Sequence, residues 1–413
     1  MSDRLKFFRR LMSAFEGTSN PQRAVERGFY INLPNNPVGV ITGKIALRPS
    51  SAHLLFGGIG SGKTTQLLLT QQALNELEDI KAIYIDISLF TDISELQSGA
   101  LIAIAGLELI KTLQGYNTSE ISDSKRIFER LLYGNSEIVT YHQPRPNQSI
   151  GGIGIGGMLN VGSSQAFTTT EKRENRSSVL QAFAKVSKFV NEKSVKQVVF
   201  LFDSLDRLRE SQMFVKPVLD DAIEINKYGF GAIIVGSIVT LYTERVNIVK
   251  NTENFYFLPY LDVLKNAEAQ QLFTDIFKVR DPEKLINQRA REMIIFNSGG
   301  VLRDLMSLTQ AAIEEAYMDG SSLVMEQHAE QAIIFMQRSK TIGLTDLNID
   351  TLIKVATEKS FFPRTSEDFE LMLTGHILEY EYPRQRFAIH PTLVLFIQNK
   401  INTREFTNGF ASG

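Results

Sequence analysis

The chain has no cysteine and only five histidines in 413 residues. The first absence excludes a disulfide framework, a zinc–thiolate centre and a thiol nucleophile, and the scattered histidines offer no metal-ligand spacing. An excess of one charge is missing too. Lys and Arg number 44 against 46 Asp and Glu, a net charge of −2, so no global field draws the protein to nucleic acid and any such contact must come from a local patch. The longest apolar stretch, around Ala100 to Leu107, is broken by Glu108 and is too short to cross a bilayer. At the N-terminus the basic residues Arg4, Lys6, Arg9 and Arg10 are not followed by a signal-peptide apolar core. With Leu5, Phe8, Leu11, Met12 and Phe15 at helical spacing, they predict an amphipathic helix that docks on the body of the protein or on a partner. A cytoplasmic setting is expected.

At 43% hydrophobic content the chain has apolar material for two or three domains. The decisive stretch runs from His53 to Thr65, where the apolar run Leu54-Leu55-Phe56 leads into Gly57-Gly58-Ile59-Gly60-Ser61-Gly62-Lys63-Thr64-Thr65. This is a complete G-x-x-x-x-G-K-T loop between a strand and a helix. Its glycines let backbone N–H groups converge on phosphate oxygens, and the helix N-terminus adds its positive end. Lys63 is expected to reach the β and γ phosphates of ATP and Thr64 to ligate Mg2+.

Five apolar segments predict the strands of a parallel α/β sheet: the one before the loop, Lys81–Ile87, Val198–Asp203, Gly231–Ser237 and Phe255–Leu258. Val38-Gly39-Val40-Ile41 also reads as β-rich, and helices are expected over 64–78, 94–113, 122–132 and from Ser178. The third strand ends in Asp203, 140 positions after Lys63, followed by Asp206 and Arg207. A carboxylate there can hold Mg2+ beside Thr64. The run Gly152 to Gly157 formally satisfies G-x-G-x-x-G but lacks strand-then-helix context, so it reads as a glycine-rich hairpin or insertion rather than a dinucleotide site. Beyond Leu261 the pattern turns helical, and after residue 340 two short helices precede two alternating strands, the pattern of a winged helix. The predicted organisation is thus 1–39, an N-terminal helix and lead-in segment; 40–261, the P-loop core with an insertion at 144–176; 262–340, a helical lid; and 341–413, a winged-helix domain.

Together the P-loop, the Asp203-Ser204-Leu205-Asp206-Arg207 run, the lid and the winged helix resemble the AAA+-related STAND ATPases and the initiator-type ATPases of the origin-recognition class, over about residues 40 to 400. The resemblance implies a nucleotide-operated switch, with slow hydrolysis because Ser204 stands where AAA+ proteins usually carry Glu. It implies Asp206 as first candidate to orient the attacking water and Asp86 as second. Ser237 matches the sensor 1 position, Arg303 in Ser298-Gly299-Gly300-Val301-Leu302-Arg303 the sensor 2 arginine, and Arg245 an arginine finger acting between subunits of a homo-oligomer. His390 in Ile389-His390-Pro391 matches the winged-helix histidine that touches ADP. The expected output is control of a separately encoded effector or sensor protein, as in prokaryotic antiviral defence. A DNA-handling role through Arg384 and Arg386 or the basic N-terminus is the alternative. The presumed recognition helix, carrying Glu367, Asp368 and Glu370, disfavours groove reading.

Overall fold

The computed structural model describes residues 3–16, 21–33, 36–113, 118–134, 175–194, 196–208, 210–252, 254–358, 361–381 and 384–411. The Gly152–Gly157 run and nearly all of the expected 144–176 insertion lie outside them. Five strands, β1 (Ala52–Gly57), β2 (Ile80–Asp86), β3 (Gln197–Asp203), β4 (Gly231–Ser237) and β5 (Phe255–Leu258), form one parallel sheet in the order β2-β3-β4-β1-β5. The order follows from composition. β1, β3 and β4 are nearly unbroken apolar runs and occupy interior positions, whereas the edge strand β5 keeps Phe255 exposed. The register sets Gly57 beside Ser237 and Asp86 beside Asp203, so the strand ends that carry polar groups share one edge.

Val38–Ile41 is not a strand. It opens the helix Val38–Leu47, whose first N–H is taken by the Asn36 side chain. Ile41 and Ile45, one turn apart, are buried against Leu67 and Leu74 of the next helix. Tertiary burial at i, i+4 spacing overrides the β preference of branched residues. The helix expected from residue 94 starts only at Ala100, because Asp92 caps a separate short turn at Ile93–Glu95.

The chain divides into two compact units, Met1–Leu101 with Lys193–Gly413, and Ile102–Glu192. The smaller comprises most of the helix Ala100–Thr112, the helix Ser119–Tyr133 capped by Thr118, and nearly all of Arg176–Lys193. The larger holds the sheet and everything after it. The lid helices are Ala267–Arg280, Gln288–Asn297, Leu302–Met318 and Glu326–Thr341, and the N-terminal helix Asp3–Phe15 packs into their core through Phe8, Leu11 and Phe15. Arg4 fixes it there by donating to the carbonyls of Ala316, Tyr317 and Ser321. This helix therefore docks on the body.

Past the lid come helices Asp346–Thr357 and Ser366–Leu373, then the antiparallel hairpin of β6 (Ile377–Tyr380) and β7 (Arg386–Ile389), paired from Ile377–Ile389 to Tyr380–Arg386. A final helix, Val394–Ala411, follows. Thr345 and Thr365 cap the two shorter helices with reciprocal side-chain bonds. Among the described residues, no helix is long and apolar enough to cross a membrane.

Candidate functional site

β1 delivers the chain to Gly57, and the loop then folds back with Gly60 (φ 82°) and Gly62 (φ 99°) in the left-handed region, so that the next helix starts at Lys63. Close approach is the second demand on these glycines. A Cβ on Gly58 would lie 2.1 Å from the Tyr260 hydroxyl, and one on Gly60 would lie 2.7 Å from Cβ of Arg303. The loop is thus clasped from the side by the segment after β5 and from above by the lid.

Lys63 is buried. Its Nζ donates to the carbonyls of Gly57 (2.9 Å) and Gly58 (2.7 Å) and pairs with Asp206 at 2.8 Å. Asp206 therefore belongs to the P-loop lysine and not to its neighbour Arg207, whose charge acts on Asp86 and Tyr84. Ser61 Oγ is buried in the loop with no hydrogen-bond partner, as a cradle for a phosphate oxygen requires. Loop, lysine and helix N-terminus fit a triphosphate.

Asp203, 3% exposed, accepts from the Tyr84 hydroxyl (2.8 Å), from Ser204 N–H (2.7 Å) and from the Thr64 side chain. Burial pushes its carboxyl above the usual range despite these bonds, so a divalent cation at this point would be the natural counter-charge. The Thr64–Asp203 contact is what a shared magnesium needs. Ser204 has φ 71°, unusual for a side-chain-bearing residue, and its hydroxyl bonds Asp86 at 2.7 Å. Burial raises Asp86, but bonds from Ser88 and Ser204 outweigh it and hold the carboxyl below its ordinary value. The position after Asp203 is thus occupied by a hydroxyl committed to the neighbouring strand.

Arg303 sits in the first turn of Leu302–Met318, where its N–H meets Gly60 O at 3.4 Å. It lines one cleft together with Gly60, Gly62, Lys63, Thr64, Thr65 and Asp206. The apolar half of that cleft comes from residues outside the sequence motifs: Phe29, Tyr30, Ile31 and Leu33 of the lead-in segment, with Ile276 and Met306 of the lid. Arg280 fastens this segment, donating to Phe29 O at 2.7 Å with its guanidinium 5.2 Å from the Phe29 ring centre. Burial lowers Arg280 to about 10, still charged at neutral pH. The signal in the sequence was the aromatic–apolar triplet Phe29-Tyr30-Ile31 in an otherwise polar stretch.

Three other expected residues do not line this cleft. Ser237 is buried as the N-cap of Ile238–Thr243, accepting from Thr240 N–H at 3.1 Å, so its hydroxyl serves the helix. Arg245 is exposed and lines a second cavity with Phe362, Phe369 and Glu379. His390 is fully buried with Nδ1 at 2.8 Å from Thr392 Oγ1 and Nε2 at 3.1 Å from Asp304, and it does not line the P-loop cleft. Asp304 follows Arg303 in the chain and also pairs with Lys340 at 3.3 Å.

No motif announced the tyrosine relay behind the loop. Tyr260 donates to Ile59 O (2.9 Å), its backbone bridges to Tyr380 of β6, and Tyr380 donates to Gly299 O (2.7 Å) ahead of the Arg303 helix. Arg386 of β7 clamps this arrangement with a two-point ion pair to buried Asp262, both bonds 2.7 Å, and covers the Tyr380 ring at 4.4 Å. P-loop, lid and hairpin are joined through Tyr260 and Tyr380.

No protein-family model and no curated protein sequence matches the chain. Among solved structures it is similar to the Orc1 protein of Aeropyrum pernix in complex with DNA (13% identity, 92% of this chain and 96% of that one, TM-score 0.46). It is also similar to Cdc6p of Pyrobaculum aerophilum (14%, 95% and 98%, 0.45) and to the RuvB Holliday junction branch migration motor of Thermotoga maritima (12%, 88% and 93%, 0.40). The chain has an α/β P-loop fold, and its similarity to these three structures is one of fold.

Proposed function

We propose that this protein is an ATP-binding and slowly ATP-hydrolysing switch whose nucleotide state sets the position of its lid and winged helix, and through them the assembly of copies or the capture of a partner protein. The observation that carries this reading is the tyrosine relay, which ties the P-loop backbone at Ile59 to both the lid and the β6–β7 hairpin. A change at the phosphates then has a mechanical route outward.

In this reading the base and ribose of ATP lie against Phe29, Tyr30 and Ile31, and the phosphates lie on Gly57 to Thr65. Magnesium, when bound, would offset the charge of the phosphates. Thr64 and Asp203 would hold it, with Asp203 oriented by Tyr84. Lys63 leaves the carbonyls of Gly57 and Gly58 to meet the phosphates. This frees Asp206 to orient water, with Asp86 held as a carboxylate nearby by Ser88 and Ser204. Arg303 meets the γ-phosphate from the lid. Arg245, outside the cleft and exposed, acts on the site of a neighbouring copy. Ser237 and His390 act indirectly, by capping a helix and by holding Asp304.

Measuring the protein's mass in solution and the partners it captures from its own host, in ATP with magnesium and in ADP, tests the proposal. A nucleotide-dependent change is expected; identical behaviour in both would refute the switch. The partner is expected to be a separately encoded effector or sensor, and the defence setting rests on motif resemblance alone. Salt-sensitive, ATP-dependent binding of duplex DNA would favour the DNA-handling reading. Against that reading, Arg386 is engaged with Asp262, and Ser366–Leu373 carries only acidic charge.

A further inference from the structure

A second cavity, of about 520 Å³, lies between the helix Ile238–Thr243, strand β5 and the winged helix. That volume falls in the range of ligand pockets, about 300–1,000 Å³. It is walled by aromatic rings: Tyr242 meets Phe362 edge-on at 5.7 Å and lies 6.2 Å from Phe369, while Phe362 is half exposed at the mouth. The buried carboxylate in this wall is Glu379 of β6, only 4% exposed. Its Oε1 accepts from the Tyr242 hydroxyl (2.7 Å) and from Gln385 (2.9 Å), whereas Oε2 is sealed from solvent with no donor at all. A buried carboxylate oxygen without a donor is costly, and burial accordingly pushes the Glu379 carboxyl above its ordinary range. A second carboxylate, Glu381, lies at the exposed rim, and Arg245, also exposed, lines the same cavity.

The chemistry that answers this arrangement is narrow. An anion is repelled by two carboxylates. A hard metal ion wants several oxygens, and the described residues contain no cluster of three metal-ligating side chains. An ammonium is strongly hydrated, whereas a guanidinium is planar, weakly hydrated, stacks on aromatic faces and presents a fork of donors to a carboxylate. Rotation about the soft terminal torsion of Glu379 would bring Oε2 to the cavity at the expense of the Tyr242 and Gln385 bonds to Oε1. We infer that this cavity is a binding site for a guanidinium group, held by Glu379 and stacked on the half-exposed Phe362 ring, with Glu381 steering it in. The site is separate from the P-loop cleft and does not depend on the nucleotide proposal. The guanidinium has two possible sources, a free small molecule or an arginine side chain of a partner.

Calorimetric titration of the full-length protein with methylguanidinium, with N-acetyl-arginine methylamide and with the corresponding lysine amide tests the inference. At least one guanidinium probe is expected to bind, and the lysine amide much more weakly. Equal binding of both guanidinium probes assigns a free small cation; binding of the arginine amide alone assigns a partner's side chain. E379Q, nearly isosteric, should weaken binding by about tenfold or more, the loss of one charge-assisted bond. F362L should weaken it by roughly two- to fivefold through the lost ring face. R245Q removes a like charge and should tighten binding or leave it unchanged. Unaltered melting curves establish that each variant is folded. The inference is overturned if neither guanidinium probe binds at millimolar concentration, if the lysine amide binds equally well, if a folded E379Q binds like the parent, or if R245Q abolishes binding.

Discussion

Lys63 and Asp206 provide the sharpest test of the site, because one ion pair has opposite meanings for stability and for nucleotide affinity. Lys63→Ala removes the donor for Gly57 O, Gly58 O and the Asp206 carboxylate at one stroke. The carbonyls are buried, but Asp206 is 17% exposed and keeps some hydration, so the cost is set at about 2–4 kcal/mol rather than that of a fully buried broken pair. Asp206→Asn leaves Lys63 its two carbonyls and should cost about 1–2 kcal/mol. Sharing one interaction, the two changes should not add: the double variant is expected to be more stable than the sum of the singles implies by about 1–2 kcal/mol. Urea unfolding of the four proteins measures this coupling. ATP affinity separates the partners. Lys63→Ala should weaken ATP binding by about a hundredfold or more, through loss of charge-assisted bonds to phosphate. Asp206→Asn removes a competitor for the lysine, so it should leave binding equal or tighter while hydrolysis slows. Strict additivity in stability, or a loss of ATP affinity in Asp206→Asn as large as in Lys63→Ala, would refute the reasoning.

Tyr260→Phe deprives Ile59 O of its donor and should cost about 1–2 kcal/mol, with ATP affinity reduced and the difference between ATP and ADP in hairpin hydrogen exchange diminished; an unchanged exchange difference counts against the relay. Arg386→Ala strands Asp262, whose side chain is fully buried, and should destabilise by about 3 kcal/mol in denaturant titration. Burial pulls His390 down to about 4, and burial with help from Lys44 does the same to His53, from 6.5 in each case. Both are therefore neutral when folded, and the unfolded chain takes up protons first. Stability should be complete above about pH 6.5 and fall as pH drops from there towards 4, by up to about 1.4 kcal/mol per pH unit for each group. His390→Gln should reduce that slope, and a parallel pH profile would remove His390 from the account.

The amino-acid sequence alone determined the five strands, the P-loop between β1 and its helix, the placing of Asp203 at a strand end, and the lid and hairpin patterns. All of these are written in local spacing: apolar runs for buried parallel strands, glycines where the backbone must turn, alternation for β6 and β7. Tertiary structure decided which polar side chains meet. Asp206 is three positions from Asp203 and next to Arg207, but its partner is Lys63; Ser237 ends the right strand, but Thr240 offers it a nearer bond; His390 is in the right hairpin, but Asp304 claims it. The helix at Val38–Leu47 and the cleft residues Phe29 to Leu33 belong to the same class, since what they pack against is distant in sequence. Local pattern specifies elements because backbone geometry has a fixed period. The partners of a side chain depend on which elements the sheet order brings together, and so does the Tyr260–Tyr380 link that joins loop, lid and hairpin.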